Sequence, residues 1–227
     1  MASEHLKLWS EFIDHTHLKP DGTQAQIRKL CEEALNFKCA AVCVLPVWAP
    51  LAKSLLQGSK TRLAAVLDFP LGGDLTQGRL ASLDNQLRAG VQEVDVVAPL
   101  GLVKSSHWNE VEKDILQLTQ KTHAGGAQIK VIFETGLLTF EEITTLAKIC
   151  VEAKVDYLKT STGFGPRGAN PEDIAIFKTA IGSSSFSKIK ASGGIRNFLD
   201  FKKYIDMGVA RIGTSSAGAI LNEAQPQ

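Results

Sequence analysis

The sequence predicts an α/β protein, a single-domain (β/α)8 TIM barrel over residues 1–227 with a short N-terminal helical extension. Two observations point there. Eight short runs rich in Val, Ile, Ala and Leu alternate with segments of helical periodicity. They recur every ~20–35 residues, the repeat of βαβ units in a parallel sheet. A third observation counts against the competing open, doubly wound sheet. That fold announces its nucleotide site by a Gly-rich turn after an early strand, and none follows the run at 40–46.

The strand-like runs are Phe12–Leu18, Ala40–Pro46, Leu63–Phe69, Glu93–Ala98, Gln128–Glu134, Tyr157–Thr162, Lys188–Ser192 and Val209–Thr214. The first is short and polar. Between the first two, Gln24–Asn36 places Ile27, Leu30, Cys31, Ala34 and Leu35 on one helical face, with Thr23 as N-cap. Leu80, Leu83 and Leu87 mark a helix finishing at Gly90. Glu141–Ala153 repeats the apolar pattern through Ile143, Leu146, Ala147, Cys150 and Val151, behind a cap at Thr139. Asn170-Pro171-Glu172-Asp173 reads as a cap, then proline at the first helical position, then acids in the first turn. Asn197 opens a helix that packs Phe201, Tyr204 and Ile205, with Gly208 suited to end it.

Composition narrows the function. Apolar residues make up 44% and charged residues 22%, ordinary for a globular protein. The net charge is +1 and no dense Lys/Arg run occurs, so the electrostatic footprint of nucleic-acid binding is missing. No apolar run reaches the ~18 residues of a membrane span. The first residues lack the apolar core of a signal peptide, which favours a cytoplasmic enzyme. Cys31, Cys39, Cys43 and Cys150 show no CxxC spacing and read as reduced thiols; with only His15 and His17 closely spaced, no metal site is expected.

The chemistry is signalled by lysines. Lys130, Lys159 and Lys190 each lie inside one of three successive strand-like runs, although lysine is depleted from strands and seldom buried unpartnered. Burial and a neighbouring like charge both push an ammonium toward the neutral amine, the form that attacks carbonyls. That points to Schiff-base chemistry. Asp95, in Val94-Asp-Val-Val97, reads equally as a partner that holds a lysine or as a catalytic group, and Asp14 and Glu134 add carboxylates. In such barrels the site lies at the C-terminal ends of the strands, where these lysines would converge.

Gly193-Gly194 follows the seventh run, ahead of Arg196, and Gly213-Thr-Ser-Ser216 follows the eighth. Those two loops are the frequent phosphate site of this fold. Arg196 would add charge, and Ser215 and Ser216 hydroxyls. Gly163 lines the same pocket or only shapes a turn.

At these residues the chain resembles the deoxyribose-phosphate aldolase family. The shared elements are Ile-Asp-His-Thr (13–16), Ala-Val-Cys-Val (41–44), Asp-Phe-Pro-Leu-Gly (68–72), Glu-Val-Asp-Val-Val (93–97), Lys-Val-Ile-Phe-Glu-Thr (130–135), Leu-Lys-Thr-Ser-Thr-Gly (158–163), Lys-Ala-Ser-Gly-Gly-Ile-Arg (190–196) and Gly-Thr-Ser-Ser (213–216). The resemblance implies a class I lyase that cleaves 2-deoxy-D-ribose 5-phosphate reversibly to acetaldehyde and D-glyceraldehyde 3-phosphate. It implies Lys159 as the imine-forming residue, with Asp95 and Lys190 as proton-transfer partners. Lys130 corresponds to a further active-site lysine, and Gly193, Gly194, Arg196, Gly213 and Ser215 fall where the family holds the phosphate; Asp14, Gly163 and Ser216 join them as substrate-binding candidates from their places in the sequence. No cofactor is implied, because the imine itself is the electron sink; the family also admits a homodimer. His17 stands where members commonly carry an apolar residue, so a locally reshaped first strand is expected there. Another Schiff-base aldolase or transaldolase, or a non-catalytic sugar-phosphate binder, are the competing readings.

Overall fold

The computed structural model describes residues 9–182 and 186–224; the expected N-terminal helical extension lies largely outside them. Eight parallel strands close on themselves in sequence order: β1 (Ile13–His17), β2 (Ala41–Val44), β3 (Arg62–Leu67), β4 (Glu93–Val97), β5 (Gln128–Ile132), β6 (Tyr157–Lys159), β7 (Lys188–Ser192) and β8 (Arg211–Thr214). Strand β8 pairs back onto β1, which closes the barrel and leaves no edge exposed. Strand β1 keeps parallel register with β2 through His17↔Val44, so the histidine does not reshape it.

Among the described residues the α-helices are α1 (Gln24–Phe37), α2 (Ala49–Leu55), α3 (Thr76–Arg88), α4 (Leu100–Lys104), α5 (Trp108–Ala124), α6 (Phe140–Glu152), α7 (Pro171–Ile181), α8 (Phe198–Asp206) and α9 (Ala217–Glu223). The caps read from sequence are in place. Thr23 and Thr139 each form a reciprocal capping box, with Gln26 and Glu142 as partners. Asn170 and Asn197 accept from backbone N–H groups of the first turn of α7 and α8.

Alternation along the strands divides the molecule into two layers. Outward residues such as Val42, Val44, Val94, Val96, Ile129 and Val131 join the helices in the main core. Inward positions on β2 and β3 are small and apolar: Ala41, Cys43, Ala64 and Val66. Inward positions on β1 and on β4 to β8 carry the charges. No helix among the described residues is long and apolar enough to cross a membrane.

Strand β6 is half the length the sequence suggests. Its apolar, buried texture continues through Thr160, Ser161 and Thr162, but these residues leave the ladder. Burial persists because the segment stays bonded to its neighbours, with Thr160 N–H donating to the Lys190 carbonyl at 3.1 Å and Thr135 N–H to the Thr160 carbonyl at 3.0 Å, and composition does not register where regular pairing stops. The turn that follows brings Gly163 to the pocket.

Candidate active site

Register places the reactive groups. Asp95 on β4 is level with Lys130 on β5, and Lys159 on β6 is level with Lys190 on β7. Glu93 lies two residues before Asp95 and therefore points to the same inner face. All seven inward charges of this region, including Asp14 on β1 and Arg211 on β8, form one buried network.

Asp95 is its hub. One carboxylate oxygen accepts from Lys159 Nζ at 2.7 Å and from Lys190 Nζ at 2.7 Å, and the other accepts from Lys130 Nζ at 2.9 Å. Asp14 takes Lys190 at 2.5 Å and Lys130 at 3.0 Å, and its second oxygen accepts from Arg211. Glu93 holds Lys130 at 2.5 Å and Arg211 at 3.0 Å.

The three lysines are not equivalent. Lys130 is fully buried and faces three carboxylates. Burial disfavours its charge, but Asp14, Asp95 and Glu93 outweigh that and hold its pKa well above the ordinary lysine value. Lys190 is also pushed up: burial opposes its charge, and Asp14 and Asp95 overcome it. Lys159 goes the other way. Burial depresses its pKa, Asp95 is the one carboxylate within contact to oppose this, and the Lys190 ammonium repels it further. Asp95 itself stays ionised: burial would raise its pKa, but Lys130, Lys159 and Lys190 together pull it far below the usual carboxylate range.

Lys159 reaches a cavity of ≈ 250 Å³ at the C-terminal mouth, lined also by Thr162, Gly163, Gly193, Gly194, Arg196, Gly213 and Ser215. Lys130, Asp14, Asp95 and Lys190 do not line it; they sit beneath, supporting its floor. The Gly193-Gly194 turn needs glycine, since both residues have left-handed φ (+87° and +82°). A Cβ on Gly213 would lie 3.1 Å from Lys190 Cε, so this glycine leaves room for the lysine stem.

The loop after β6 is fastened to its neighbours. Arg167 forms a two-point ion pair with buried Asp173 at 2.6 and 2.9 Å, and donates to the Thr135 carbonyl at 3.1 Å. The backbone of Ala169 donates to the carbonyl of Ser192 at 3.0 Å. Gly168 packs so closely that a Cβ there would lie 2.0 Å from the Gly193 carbonyl oxygen. Gly168→Ala is expected to displace the Gly193 turn. KM for a phosphorylated substrate should rise by about tenfold or more with a smaller change in kcat, read by steady-state kinetics.

The paired charge cluster thus lies beneath a glycine-rich pocket at the C-terminal mouth of the barrel. Residues 11–223 match the model of the DeoC/LacD family aldolases. The chain belongs to that family. It is 42% identical over 216 residues to the deoxyribose-phosphate aldolase of Brevibacillus brevis, covering 95% of this chain and 96% of the relative. The deoxyribose-phosphate aldolase of a Geobacillus species is 41% identical, covering 93% and 94%. Among solved structures, the aldolase QR15 superposes with a TM-score of 0.88 at 36% identity, covering 94% of each chain. The deoxyribose phosphate aldolase of Aeropyrum pernix, described as a tetramer, gives 0.87 at 28%, covering 97% and 95%.

Within this DeoC/LacD chain, most residues singled out from sequence meet at one place. Lys159, Gly163, Gly193, Gly194, Arg196, Gly213 and Ser215 share the cavity, and Lys190 and Asp95 contact Lys159 or each other directly beneath. Ser216 stands just behind, its N–H donating to Thr214 Oγ1 at 3.0 Å. Lys130 and Asp14 are fully buried beneath the cavity and take part in the ion network there. Cys43 is fully buried and its thiol is pushed up to about 11 by burial, which leaves it inert near neutral pH. Tyr204 donates to the Ala169 carbonyl at 2.7 Å, a structural use.

Glu134, read from sequence as a further carboxylate, anchors the β6 loop by accepting from Thr162 N at 3.2 Å and from its hydroxyl. Other contributors to the site were not read as such from sequence. Glu93 and Arg211 complete the ion network. Thr16, His17 and Lys19, from the end of β1 and its loop, form one wall of the cavity. The period-two spacing of Glu93 and Asp95 was the available signal for the first of these.

Proposed function

We propose that this protein is a deoxyribose-phosphate aldolase that cleaves 2-deoxy-D-ribose 5-phosphate through an imine on Lys159. The observation that carries the reading is Lys159 itself: a lysine with a depressed pKa, at the floor of an open pocket, held against one carboxylate and one ammonium. The names of the curated relatives, similar over nearly the full length of both chains, supply the substrate.

The residues can perform each step. The neutral Lys159 amine attacks the C1 aldehyde of the open-chain sugar, and Lys190 donates the proton with which water leaves, giving a protonated imine. The C3 hydroxyl proton passes through a water to the Lys190–Asp95 pair beneath the cavity as the C2–C3 bond breaks. The bonding pair flows into the imine, which becomes an enamine, and D-glyceraldehyde 3-phosphate departs. Return of a proton to C2 and hydrolysis release acetaldehyde and regenerate the amine.

The phosphate belongs against the Gly193-Gly194 and Gly213–Ser215 turns, with Arg196 at the rim. A phosphorylated sugar as substrate fits a cytoplasmic enzyme. Arg196→Ala is expected to raise KM for the phosphorylated sugar by about tenfold while leaving turnover of unphosphorylated 2-deoxyribose unchanged. Equal loss on both sugars would place the phosphate elsewhere.

The reading is tested by incubating the protein with 2-deoxyribose 5-phosphate and, separately, with ketose phosphates, and measuring released aldehyde. Acetaldehyde from the first substrate alone is the expected result. Cleavage of ketose phosphates in preference would move the assignment to another Schiff-base aldolase. Binding of the sugar phosphate without turnover would make the protein a binder.

A further inference from the structure

Lys159 is singled out among three lysines of similar burial, and local contacts explain only part of the difference. Inside the barrel three carboxylates (Asp14, Glu93 and Asp95) face four cations (Lys130, Lys159, Lys190 and Arg211). Buried charge is tolerated where it is matched. Three cations are matched by two or more carboxylate contacts each: Lys130 has three, Lys190 two and Arg211 two. Lys159 has one, on an oxygen already shared with Lys190. It is the surplus cation.

We infer that Glu93 and Arg211 are positioning residues that set the charge of Lys159 by their balance: through the network Glu93 favours its protonation and Arg211 opposes it, and the intact pair holds the interior one carboxylate short at Lys159. This deepens the proposed function and rests on its reading of Lys159 as the imine-forming amine. Neither residue lines the cavity, and Glu93 is two residues, about 7 Å, further down β4 than Asp95. They reach Lys159 only through Asp14, Lys130, Lys190 and Asp95. Arg62, which also pairs with Glu93 at 3.0 Å, has a side chain 35% exposed, so water screens its charge.

The ionisable groups around Lys159 can be named by element: Asp14 from β1, Cys43 from β2, Asp95 from β4, Lys130 from β5, Lys190 from β7 and Arg211 from β8. Strand β6 itself adds Tyr157, over which Arg211 lies at 5.7 Å. Removing a negative charge from this set makes protonation of Lys159 harder; removing a positive charge makes it easier. A unit charge roughly 10 Å away across an effective dielectric of about 20 moves a pKa by about one unit.

The test reads Lys159 without using a sugar. The full chain is carbamylated with cyanate across pH, and peptide mass spectrometry follows modification at Lys159. In Glu93→Gln the midpoint should move about one pH unit down, and in Arg211→Gln about one unit up. The double variant E93Q/R211Q and the charge-keeping Arg211→Lys should both return near the parent value. If Arg211→Gln does not fold, the downward shift in Glu93→Gln and its reversal in the double variant test the inference alone. Midpoints that stay fixed, or that move the same way in both single variants, would overturn it, as expected of residues that only support the fold. Borohydride trapping of the parent with 2-deoxyribose 5-phosphate runs alongside. Opposed shifts without an adduct would sustain the charge assignment and remove the imine; an adduct without opposed shifts would do the reverse.

Discussion

Lys159→Met is expected to lower kcat for cleavage of 2-deoxyribose 5-phosphate by roughly four or more orders of magnitude while leaving the protein folded. Methionine is close to lysine in length and apolar, so it fills the same channel at the barrel mouth. What it removes is the one cation that the interior carboxylates leave unmatched. The lost interaction is a single hydrogen bond to the Asp95 carboxylate, worth about 1.5–3 kcal/mol and offset by burying an apolar side chain in place of an amine, and Asp95 keeps both Lys130 and Lys190. The melting temperature should therefore change little. The check is a kcat measured beside a thermal melt. A variant with residual activity within tenfold of the parent would move the nucleophile to another residue.

Asp95→Asn is expected to damage both chemistry and stability. Three ammonium groups converge on this carboxylate, which is fully buried. Removing its charge leaves Lys130 with Asp14 and Glu93, Lys190 with Asp14 alone, and Lys159 with no carboxylate. Breaking a buried charge cluster in this way costs about 3–5 kcal/mol. In the proposed reaction Asp95 also moves the C3 hydroxyl proton, so kcat should fall by roughly two to four orders of magnitude. The Lys159 amine loses the group that favours its charge and stays neutral. An imine should therefore still form, and borohydride should still trap substrate on Lys159 in the absence of turnover. Loss of trapping together with turnover would mean that Asp95 is needed to form the imine.

The same carboxylate governs acid behaviour. Its pKa is depressed in the folded protein because Lys130, Lys159 and Lys190 overcome the effect of burial. Asp14 and Glu93 are depressed by their own cations in the same sense. Such groups stabilise the fold fully above their unfolded pKa values near 4, and that stability is lost as pH falls below. Denaturant midpoints should thus be flat from about pH 5 to 7 and fall steeply below about pH 4. Asp95→Asn should show a lower plateau and a shallower acid limb.

How far the sequence foretold this arrangement depends on the residue. Strand positions and helix caps were legible because alternation and capping chemistry are local, and the Thr23 and Asn170 signals needed nothing from the rest of the chain. Lys159 and Lys190 were legible because a lysine amid small and apolar strand residues is out of place. Their difference was legible only in part. Mutual repulsion was foreseen, but Lys190 keeps its charge through Asp14, a residue 176 positions away in sequence. Glu93 and Arg211 each begin a strand, where a charged residue usually means a solvated strand end, so neither drew notice; only barrel closure turns both inward. The long helix α5 was not delimited either. Val111, Ile115 and Leu118 follow helical spacing, but its other buried positions, Asp114, Thr119 and Thr122, are polar and dilute the pattern. Lys130 was grouped with the active site by resemblance and Asp14 as a carboxylate of the first strand, whereas their depth beneath the cavity follows only from the tertiary structure.

The most direct test of the central claim is reduction with borohydride in the presence of 2-deoxyribose 5-phosphate, followed by peptide mass spectrometry. A reduced adduct on Lys159 that requires substrate, and is abolished in Lys159→Met, is the expected result. An adduct on Lys190 or Lys130 would contradict the assignment of the surplus cation. No adduct on any lysine, with the sugar phosphate still bound, would contradict imine catalysis altogether.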